Sequence, residues 1–405
     1  MNYEPTRFPC YDSTVSNLVT LPGLIDCHVH FREPGYEQKG GMKSESAAAK
    51  AGGVLTVCEM PNTIPPTVSV KAFEDKVRRA KKISDVDIRF FFGATTLEHL
   101  DAFREVWDSP KCCGLKIYFD HSTGDQGAND EIIEAAFGLC AELGAPLVGH
   151  CEDAQINAEA RRIILDSSKG DMMDVSLHTL MRPCAAEAAA ITRAIDLVRQ
   201  HGTQFHVAHL STAQGVDLIR QAKKDGLSVT CEVTPHHLFL STEDYPRLGT
   251  LGKMNPPLRT LGEQQALWEG INDGTVDCIA TDHAPHTLGE KQSGNPLDTP
   301  SGVPGIETML PLLLTVVAGR WPRLGSKLQI PDSRFETWNL ESGISDITRL
   351  CFTNPNRIFS LGVSEEQRIT VDLDAEWVIK GSKLHSRCGW TPYEGWKVWG
   401  RIKEE

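Results

Sequence analysis

The sequence lacks several features that mark particular classes of protein. It has no run of about 18 uninterrupted apolar residues, so no transmembrane helix is expected. Its first residues, MNYEPTRFPC, contain no basic segment followed by an apolar one, so no secretory signal is predicted. The 12 cysteines are scattered and form no CxxC pair. We therefore interpret them as reduced side chains of a cytoplasmic protein and not as a disulfide framework.

Positive charge is scarce relative to negative charge. The chain has 41 Lys and Arg against 54 Asp and Glu, which gives a net charge of −13. This balance argues against a general nucleic-acid surface and against binding to an anionic membrane. It does not exclude an anionic small substrate, because a local arginine can override the overall sign. The apolar content of 40% is that of a globular protein with a substantial core.

Short apolar runs alternate with longer amphipathic segments along the chain of 405 residues. The apolar runs are GLIDCHVHF, VLTVCEM, IRFFFGA, CGLKIYF, APLVGHCE, TQFHVAHL, LSVTCEV and DCIATDHA. The segments between them read as helices, and eight strand–helix units predict an α/β fold with a closed (β/α)8 TIM-like barrel. An open doubly wound sheet is the alternative, which is weaker because no GxGxxG motif follows the first strand.

The predicted barrel occupies residues 21–360, between two smaller segments. Residues 1–20 form a short N-terminal segment. Residues 361–405 are richer in Trp, Gly and Lys and contain the strand-like run QRITVDL. We expect residues 361–405 to form a small C-terminal appendage packed on the barrel.

Polar side chains recur where the predicted strands end. His28 and His30 are two residues apart, so in a strand they project from the same face. An isolated pair of this kind is more often structural than metal-binding. Here, however, the later strands add more such side chains, and the active site of a (β/α)8 enzyme lies at the carboxyl ends of its strands. The further strand-end residues are Lys116, His150, His209, Glu232 and Asp282.

Imidazole nitrogens and carboxylate oxygens are suited to Zn2+, and this set is large enough for two ions. Lys116 is the candidate bridge between them, because burial lowers the pKa of a lysine and a neutral amine can add carbon dioxide to become a carbamate. Spacing alone does not show that step. Two ions sharing a water would lower its pKa toward neutrality, and Asp282 could move its proton. This apparatus predicts amide hydrolysis or its reverse. The predicted ligands are His28, His30 and Asp282 for one ion, and His150 with His209 for the other.

These residues lie in motifs that resemble a known group of enzymes. The ordered set HVHFREPG, EMPNT, GLKIY, GHCED, HVAHLS, CEVTPHHLFL, MNPPLR, TDHAPH and GVPGIETMLPLLL is similar to that of dihydroorotases of the amidohydrolase superfamily. The nearest likeness is to the dihydroorotase domain of the animal multifunctional pyrimidine-synthesis protein, and the tail WTPYEGWKVWG strengthens it. An HxH pair alone is weak evidence, whereas the ordered set is strong.

The resemblance implies reversible ring closure of N-carbamoyl-L-aspartate to L-dihydroorotate, a step of de novo pyrimidine (UMP) biosynthesis. It implies two Zn2+ ions per chain, bridged by carboxylated Lys116, and Asp282 as the catalytic residue. It also implies a cytoplasmic homodimer that can associate with aspartate transcarbamoylase, with no nucleic-acid or membrane partner. The implied contacts to the small-molecule substrate are Arg32, Asn62, Asn255, His286, Ser301 and Gly302.

The sequence departs from the group's pattern in three places. Little chain precedes His28, so we expect the N-terminal strands of a complete amidohydrolase β-sandwich to be absent or reduced. Ala208 stands where the animal domain has a cysteine associated with an additional zinc, which puts a third zinc in doubt, although Glu232 is retained. Residues 120–129 lie where related enzymes have a mobile lid. There, Ser122 and Thr123 could bind substrate, although a solvated loop explains them nearly as well.

Two other functions are compatible with the same motifs. Allantoinases and dihydropyrimidinases use this metal set on other cyclic amides. Arg32 and Asn62 favour dihydroorotase, because a substrate without a ring carboxylate has no need of that pair. A non-catalytic scaffold is the other alternative, known among relatives that have lost metal ligands, but every ligand is retained here.

Overall fold

The computed structural model of the chain describes residues 17–83, 85–120, 127–167, 174–320 and 340–403. Its centre is an eight-stranded parallel sheet whose strands follow one another in chain order. A separate strand, β1 (Leu18–Pro22), precedes this sheet. The eight strands are β2 (Leu24–Val29), β3 (Val54–Glu59), β4 (Asp87–Gly93), β5 (Cys112–Tyr118), β6 (Leu147–His150), β7 (Phe205–Val207), β8 (Val229–Val233) and β9 (Cys278–Ile279).

The first and last strands of this sheet meet and nearly close a barrel. Val29 forms a parallel bridge with His283, and the backbone N–H of His30 donates to the carbonyl of His283 at 2.8 Å. The Asp26 carboxylate accepts from the backbone N–H of Thr281 at 3.0 Å. The predicted (β/α)8 TIM-like barrel is therefore confirmed.

Helices cover the outside of the barrel. Several begin at the side-chain caps that their sequences provide, such as Ser69, Thr96 and Asn129, each of which accepts a backbone N–H of the first turn. The helices between strands are α1 (Met42–Ala51), α2 (Val70–Ala80), α3 (Leu97–Val106), α4 (Asp130–Leu143), α5 (Ala154–Ser167), α6 (Leu177–Met181), α7 (Cys184–His201), α8 (Ala213–Lys224), α9 (Pro235–Phe239), α10 (Tyr245–Leu248) and α11 (Leu261–Asn272). After β9 come α12 (Leu288–Gln292), α13 (Met309–Val317), α14 (Leu340–Thr348) and α15 (Asn354–Ile358).

A small second sheet joins the two ends of the chain. Strand β10 (Arg368–Val378) pairs antiparallel with β1 on one side and with β11 (Lys397–Ile402) on the other. The sheet packs on α13, whose residues are all buried. Within the described ranges, no helix is both long enough and apolar enough to cross a membrane.

Candidate active site

A cavity of about 40 Å³ opens at the carboxyl ends of the barrel strands. It gathers residues from parts of the sequence that are more than 250 positions apart, because parallel strands bring their ends to one rim. Of the predicted site residues that the structure describes, Lys116 and His286 are not among the residues that line the cavity. The lining residues are His28, His30, Arg32, Asn62, Tyr118, His150, His209, Asn255, Asp282, Ala284, Ser301 and Gly302.

One group of potential metal ligands combines the ends of the first and last barrel strands. Asp282 Oδ1 lies 3.4 Å from His28 Nε2 and 3.0 Å from His30 Nε2. One donor atom from each of the three residues lies within 4.8 Å of the others, and all three residues are buried. Burial raises the pKa of Asp282, but His28 and His30 together hold that pKa well below its usual range. The group therefore presents a carboxylate and two imidazoles to one point.

The two histidines of this group are held in place by polar residues behind them. His28 Nδ1 contacts the Glu232 carboxylate, and His30 Nδ1 lies 2.7 Å from Asn62 Oδ1. Such contacts fix the ring orientation and the tautomer of a metal-binding histidine. Burial lowers the pKa of His30 to about 4, so its imidazole is neutral near pH 7 and can donate a lone pair.

The second pair of histidines, His150 and His209, faces the same cavity from the ends of β6 and β7. His150 Nδ1 lies 2.9 Å from His209 Nε2. On its other side, His150 Nε2 lies 2.9 Å from the Glu152 carboxylate, which also accepts from Arg182 at 2.6 Å. Burial raises the pKa of Glu152, but Arg182 and His150 bring that pKa well below its usual range. Glu152 is thus an ionised acceptor that orients His150 toward His209.

Lys116 interacts electrostatically with both groups, and its Nζ lies 5.1 Å from the centre of the Tyr118 ring. Its Nζ is buried and has no hydrogen-bond partner among the described residues. Burial lowers the pKa of Lys116 to about 8, although Glu232 and Asp282 act in the opposite direction. A lysine with an unbonded, partly deprotonated amine among four histidines and an aspartate is costly in a purely structural role. This orphaned amine and the surrounding nitrogen and oxygen donors fit a centre of divalent cations.

A further group of possible ligands lies behind His28. Cys27, His206 and Glu232 offer donor atoms within 4.8 Å of one another. The Glu232 carboxylate is already bonded to His28 and to the backbone N–H of His209. The pKa of the Cys27 thiol is raised well above its usual value, first by a hydrogen bond with Cys278 and second by burial. Glu232 thus serves here as the acceptor that orients His28.

The cavity wall also carries a cation, Arg32. The Arg32 guanidinium is buried, and its Nε donates to the carbonyl of Pro285 at 3.1 Å. His286 Nε2 lies 3.0 Å from an Arg32 terminal nitrogen and 3.0 Å from the carbonyl of Ser301. In contrast to the metal side, no described carboxylate pairs with Arg32. A planar bidentate cation at this place suits a carboxylate ligand.

Three residues that line the cavity have left-handed backbone conformations although they are not glycines. The φ angles are 69° for Arg32, 36° for His209 and 44° for Asp282. Such conformations cost about 1–3 kcal/mol each and persist where the surrounding contacts enforce them. Each of these residues follows the end of a barrel strand, and the sharp change of direction aims its side chain into the cavity.

The structure adds residues that the sequence did not single out. Tyr118 shares a strand face with Lys116, a spacing that the run GLKIY already contained. Glu152 follows His150 by two residues in GHCED. His178 Nε2 lies 2.8 Å from Asn255 Oδ1 and so positions that amide, but no motif marks it. The lid candidates Ser122 and Thr123 lie outside the described residues.

Comparisons with known proteins agree with this geometry. A model of the amidohydrolase family matches residues 19–315. The chain is 38% identical over 393 residues to a protein named dihydroorotase from Methanosarcina mazei, covering 93% of this chain and 80% of that one. It is 34% identical over 387 residues to the multifunctional protein CAD of Squalus acanthias, covering 95% of this chain and 14% of that protein. A solved L-hydantoinase (dihydropyrimidinase) from Arthrobacter aurescens has a TM-score of 0.84 at 27% identity, covering 95% of this chain and 82% of that one.

Proposed function

Since this chain belongs to the dihydroorotase branch of the amidohydrolase family, we propose that its cavity interconverts N-carbamoyl-L-aspartate and L-dihydroorotate in pyrimidine biosynthesis. One observation carries the assignment within this family of folds. The Arg32 guanidinium lines the same cavity as His28, His30 and Asp282, so a ring carboxylate can be anchored beside the reacting amide. A cyclic amide without a carboxylate would leave this buried cation uncompensated.

We propose that this centre holds two zinc ions. The orphaned Lys116 amine would bridge them as a carbamate, since its lowered pKa leaves amine free to add carbon dioxide. When bound, the ions supply Lewis acidity and a water of lowered pKa. The proposed ligands are His28, His30 and Asp282 for one ion, His150 and His209 for the other, and Lys116 for both.

The chain's own side chains bind and orient the substrate and move the proton. Arg32 holds the carboxylate that both substrates share, and Asn62 and Asn255 add amide groups at the cavity wall. In hydrolysis, the Asp282 carboxylate takes the proton from the attacking water and passes it to the ring nitrogen as the C–N bond breaks. In synthesis, the ureido nitrogen attacks the side-chain carboxyl carbon, and protonated Asp282 gives its proton to a carboxyl oxygen. The resulting Asp282 carboxylate then takes the proton that the attacking nitrogen releases and passes it to the hydroxyl, which leaves as water.

A panel of four compounds tests the proposed function. The purified protein should hydrolyse L-dihydroorotate and form it from N-carbamoyl-L-aspartate. Allantoin and dihydrouracil, which carry no carboxylate on the ring, should be turned over about ten- to a hundredfold less efficiently, as expected for a lost hydrogen bond to a charged group. Preference for dihydrouracil would instead support the dihydropyrimidinase alternative, which the likeness to the L-hydantoinase structure suggests.

Replacement of Arg32 by methionine should raise the KM for dihydroorotate by about ten- to a hundredfold while zinc stays bound. The reason is the loss of a charge-assisted hydrogen bond worth about 1.5–3 kcal/mol. Steady-state kinetics and metal analysis on the same preparation measure both effects. Arg89→Met is a matched control, because Arg89 donates to the Leu361 carbonyl and to Asp87 at the amino end of a barrel strand. Unchanged kinetics of Arg32→Met would remove Arg32 from the site.

Zinc content provides an independent test of the proposed centre. We expect about two zinc ions per chain, with His150→Ala and His209→Ala each reducing the content toward one. Turnover should fall with the lost metal, because these two imidazoles are the proposed nitrogen ligands of one ion. Elemental analysis after dialysis against a metal-free buffer gives the occupancy. Full activity in a metal-free preparation would contradict the proposal.

The cellular location and the assembly of the enzyme are also proposals. We propose a cytoplasmic location, which is supported by the free state of all 11 described cysteines. We further propose a homodimer that can associate with aspartate transcarbamoylase, the class of enzyme that supplies carbamoyl aspartate. The similarity to one part of the multifunctional protein CAD supports that association. Sedimentation of the protein alone and with that transcarbamoylase would test both proposals.

A further inference from the structure

Two buried lysines lie beneath the substrate side of the cavity and take no part in the mechanism described above. Lys291, on α12, is 0% exposed. Its Nζ donates to the carbonyls of Lys253, Pro300 and Gly302 at 2.8, 3.0 and 3.1 Å. Lys253 is also buried, and its Nζ donates to the carbonyls of Leu297 and Thr299. The two side chains together tie the segment 297–302 to the segment that begins at residue 253.

Both of these segments form the cavity wall. Asn255, which follows Lys253 by two residues, lines the cavity, as do Ser301 and Gly302. Ser301 lies between Pro300 and Gly302, whose carbonyls Lys291 binds. Gly302 has a φ of 133°, and a Cβ placed on it would lie 2.8 Å from atoms of Ala284. Its backbone N–H donates to the Lys253 carbonyl at 3.0 Å. At Gly302 the cavity wall therefore consists of backbone atoms alone. Its position depends on the lysine side chains that bind the neighbouring carbonyl groups.

The hydrogen bonds of Lys291 match a charged side chain. An ammonium has three N–H groups, whereas a neutral amine has two and a lone pair that would face a carbonyl oxygen. Burial lowers the pKa of Lys291, as do the charges of Lys253 and Arg32. The three carbonyl oxygens around Nζ are the geometric reason for assigning it an ammonium. Among the described residues, neither Lys291 nor Arg32 forms an ion pair with a carboxylate. Lys39, in contrast, is paired with Glu290 at 3.0 Å.

We propose that Lys291 is a positioning residue for the substrate carboxylate. Its ammonium, bound by three carbonyl groups, fixes the position of the Asn255 segment relative to Ser301–Gly302. It also adds positive charge near Arg32. Buried charge without a counter-ion is costly, and an anionic substrate relieves that cost on binding. The inference rests on the proposed function, because only a carboxylate-bearing substrate brings a counter-ion to these two cations.

The test is the effect of Lys291→Met on binding and on turnover separately. The KM values for dihydroorotate and carbamoyl aspartate should each rise about tenfold, as expected for one lost interaction with a charged group. The kcat and the zinc content should stay near those of the wild type, because Lys291 touches no reacting group. Lys223→Met is the matched control, since Lys223 binds the Thr275 carbonyl and Asp277 at the far end of the barrel. It should leave both KM values unchanged.

A double mutant separates positioning from a merely structural role. If Lys291 acts through the carboxylate anchor, Lys291→Met should raise the KM much less in an Arg32→Met background than in the wild type. Equal factors in both backgrounds, or an unchanged KM in the single variant, overturn the inference. If Lys291→Met does not fold, Lys253→Met tests the same wall. It should also raise both KM values, and unchanged KM values would overturn the inference. A wild-type protein inactive on dihydroorotate overturns the proposed function itself, and this inference with it.

Discussion

Asp282→Asn is expected to abolish turnover in both directions while leaving much of the zinc bound. Asparagine fills the same space beside His28 and His30, and its amide oxygen can still face a metal ion. It cannot accept a proton from water or return one to the ring nitrogen, which is the role we assign to this carboxylate. Loss of a general acid–base group alone costs about 10²–10⁴-fold in rate. The loss here should exceed that range, because the carboxylate also serves as a proposed ligand.

Forward and reverse initial rates across a pH series provide the measurement, with zinc content determined on the same samples. Carbamoyl aspartate has two carboxylates and dihydroorotate one, so ring closure consumes a proton and is favoured as the pH falls. Hydrolysis needs the carboxylate form of the proton carrier and synthesis its protonated form. The two wild-type profiles should therefore have mirror-image limbs, which report the coupled centre and not Asp282 alone.

Asp277→Asn is the matched control for this experiment. Asp277 lies five residues earlier, at the opposite end of the same strand, where it accepts from Lys223 and from the backbone N–H of Cys231. Its replacement can lower stability but should leave both pH profiles in place. If the metal-loaded Asp282→Asn protein kept substantial turnover in either direction, another group would have to carry the proton.

Lys116→Ala is expected to remove metal and activity together. The wild-type Nζ is buried without a hydrogen-bond partner among the described residues, so the side chain contributes little to the fold except its packing, which includes the Tyr118 ring. If it bridges two ions as a carbamate, alanine removes a ligand from both, and turnover should fall to the level of the metal-free protein. Zinc analysis and hydrolysis of dihydroorotate by the same preparation measure the two losses.

The carbamate itself can be observed without a mutation. Protein purified in the presence of ¹³C-labelled bicarbonate should show one labelled carbon that Lys116→Ala lacks, and an experimental structure should show density beyond Lys116 Nζ. Lys111→Ala is a suitable control, because Lys111 directly precedes β5, the strand that carries Lys116. Its side chain pairs with Asp87, the first residue of β4, and so lies away from the cavity. A fully active protein with an ordinary Lys116 amine turned away from the metal ligands would end the proposal.

Much of the fold could be predicted because it depends on local pattern. Eight apolar runs separated by amphipathic segments favour a parallel barrel, since helical crossovers leave the strands buried on both faces. The caps at Ser69, Thr96 and Asn129 are equally local. The second sheet was harder to predict from the sequence. Its strands β1 and β10 are some 350 residues apart in sequence, and only the folded chain pairs them.

The sequence by itself determined which donors could meet. His28 and His30 share a strand face through their spacing, and the rule that strand ends converge brings His150, His209 and Asp282 to the same rim. Glu152 and Tyr118 could have been found by the same spacing, since each lies two residues from a predicted ligand on the same strand or at its end.

Only the tertiary structure decided how those donors are aimed and what supports them. The left-handed backbone of Arg32, His209 and Asp282 is imposed by distant contacts and carries no local signal, because none of the three is a glycine. The lysine cage around Lys291 likewise depends on carbonyl groups, which every residue possesses, so no motif reveals it. Side-chain type is written in the sequence, whereas the direction of a side chain and the backbone atoms it reaches depend on the packing of the whole barrel.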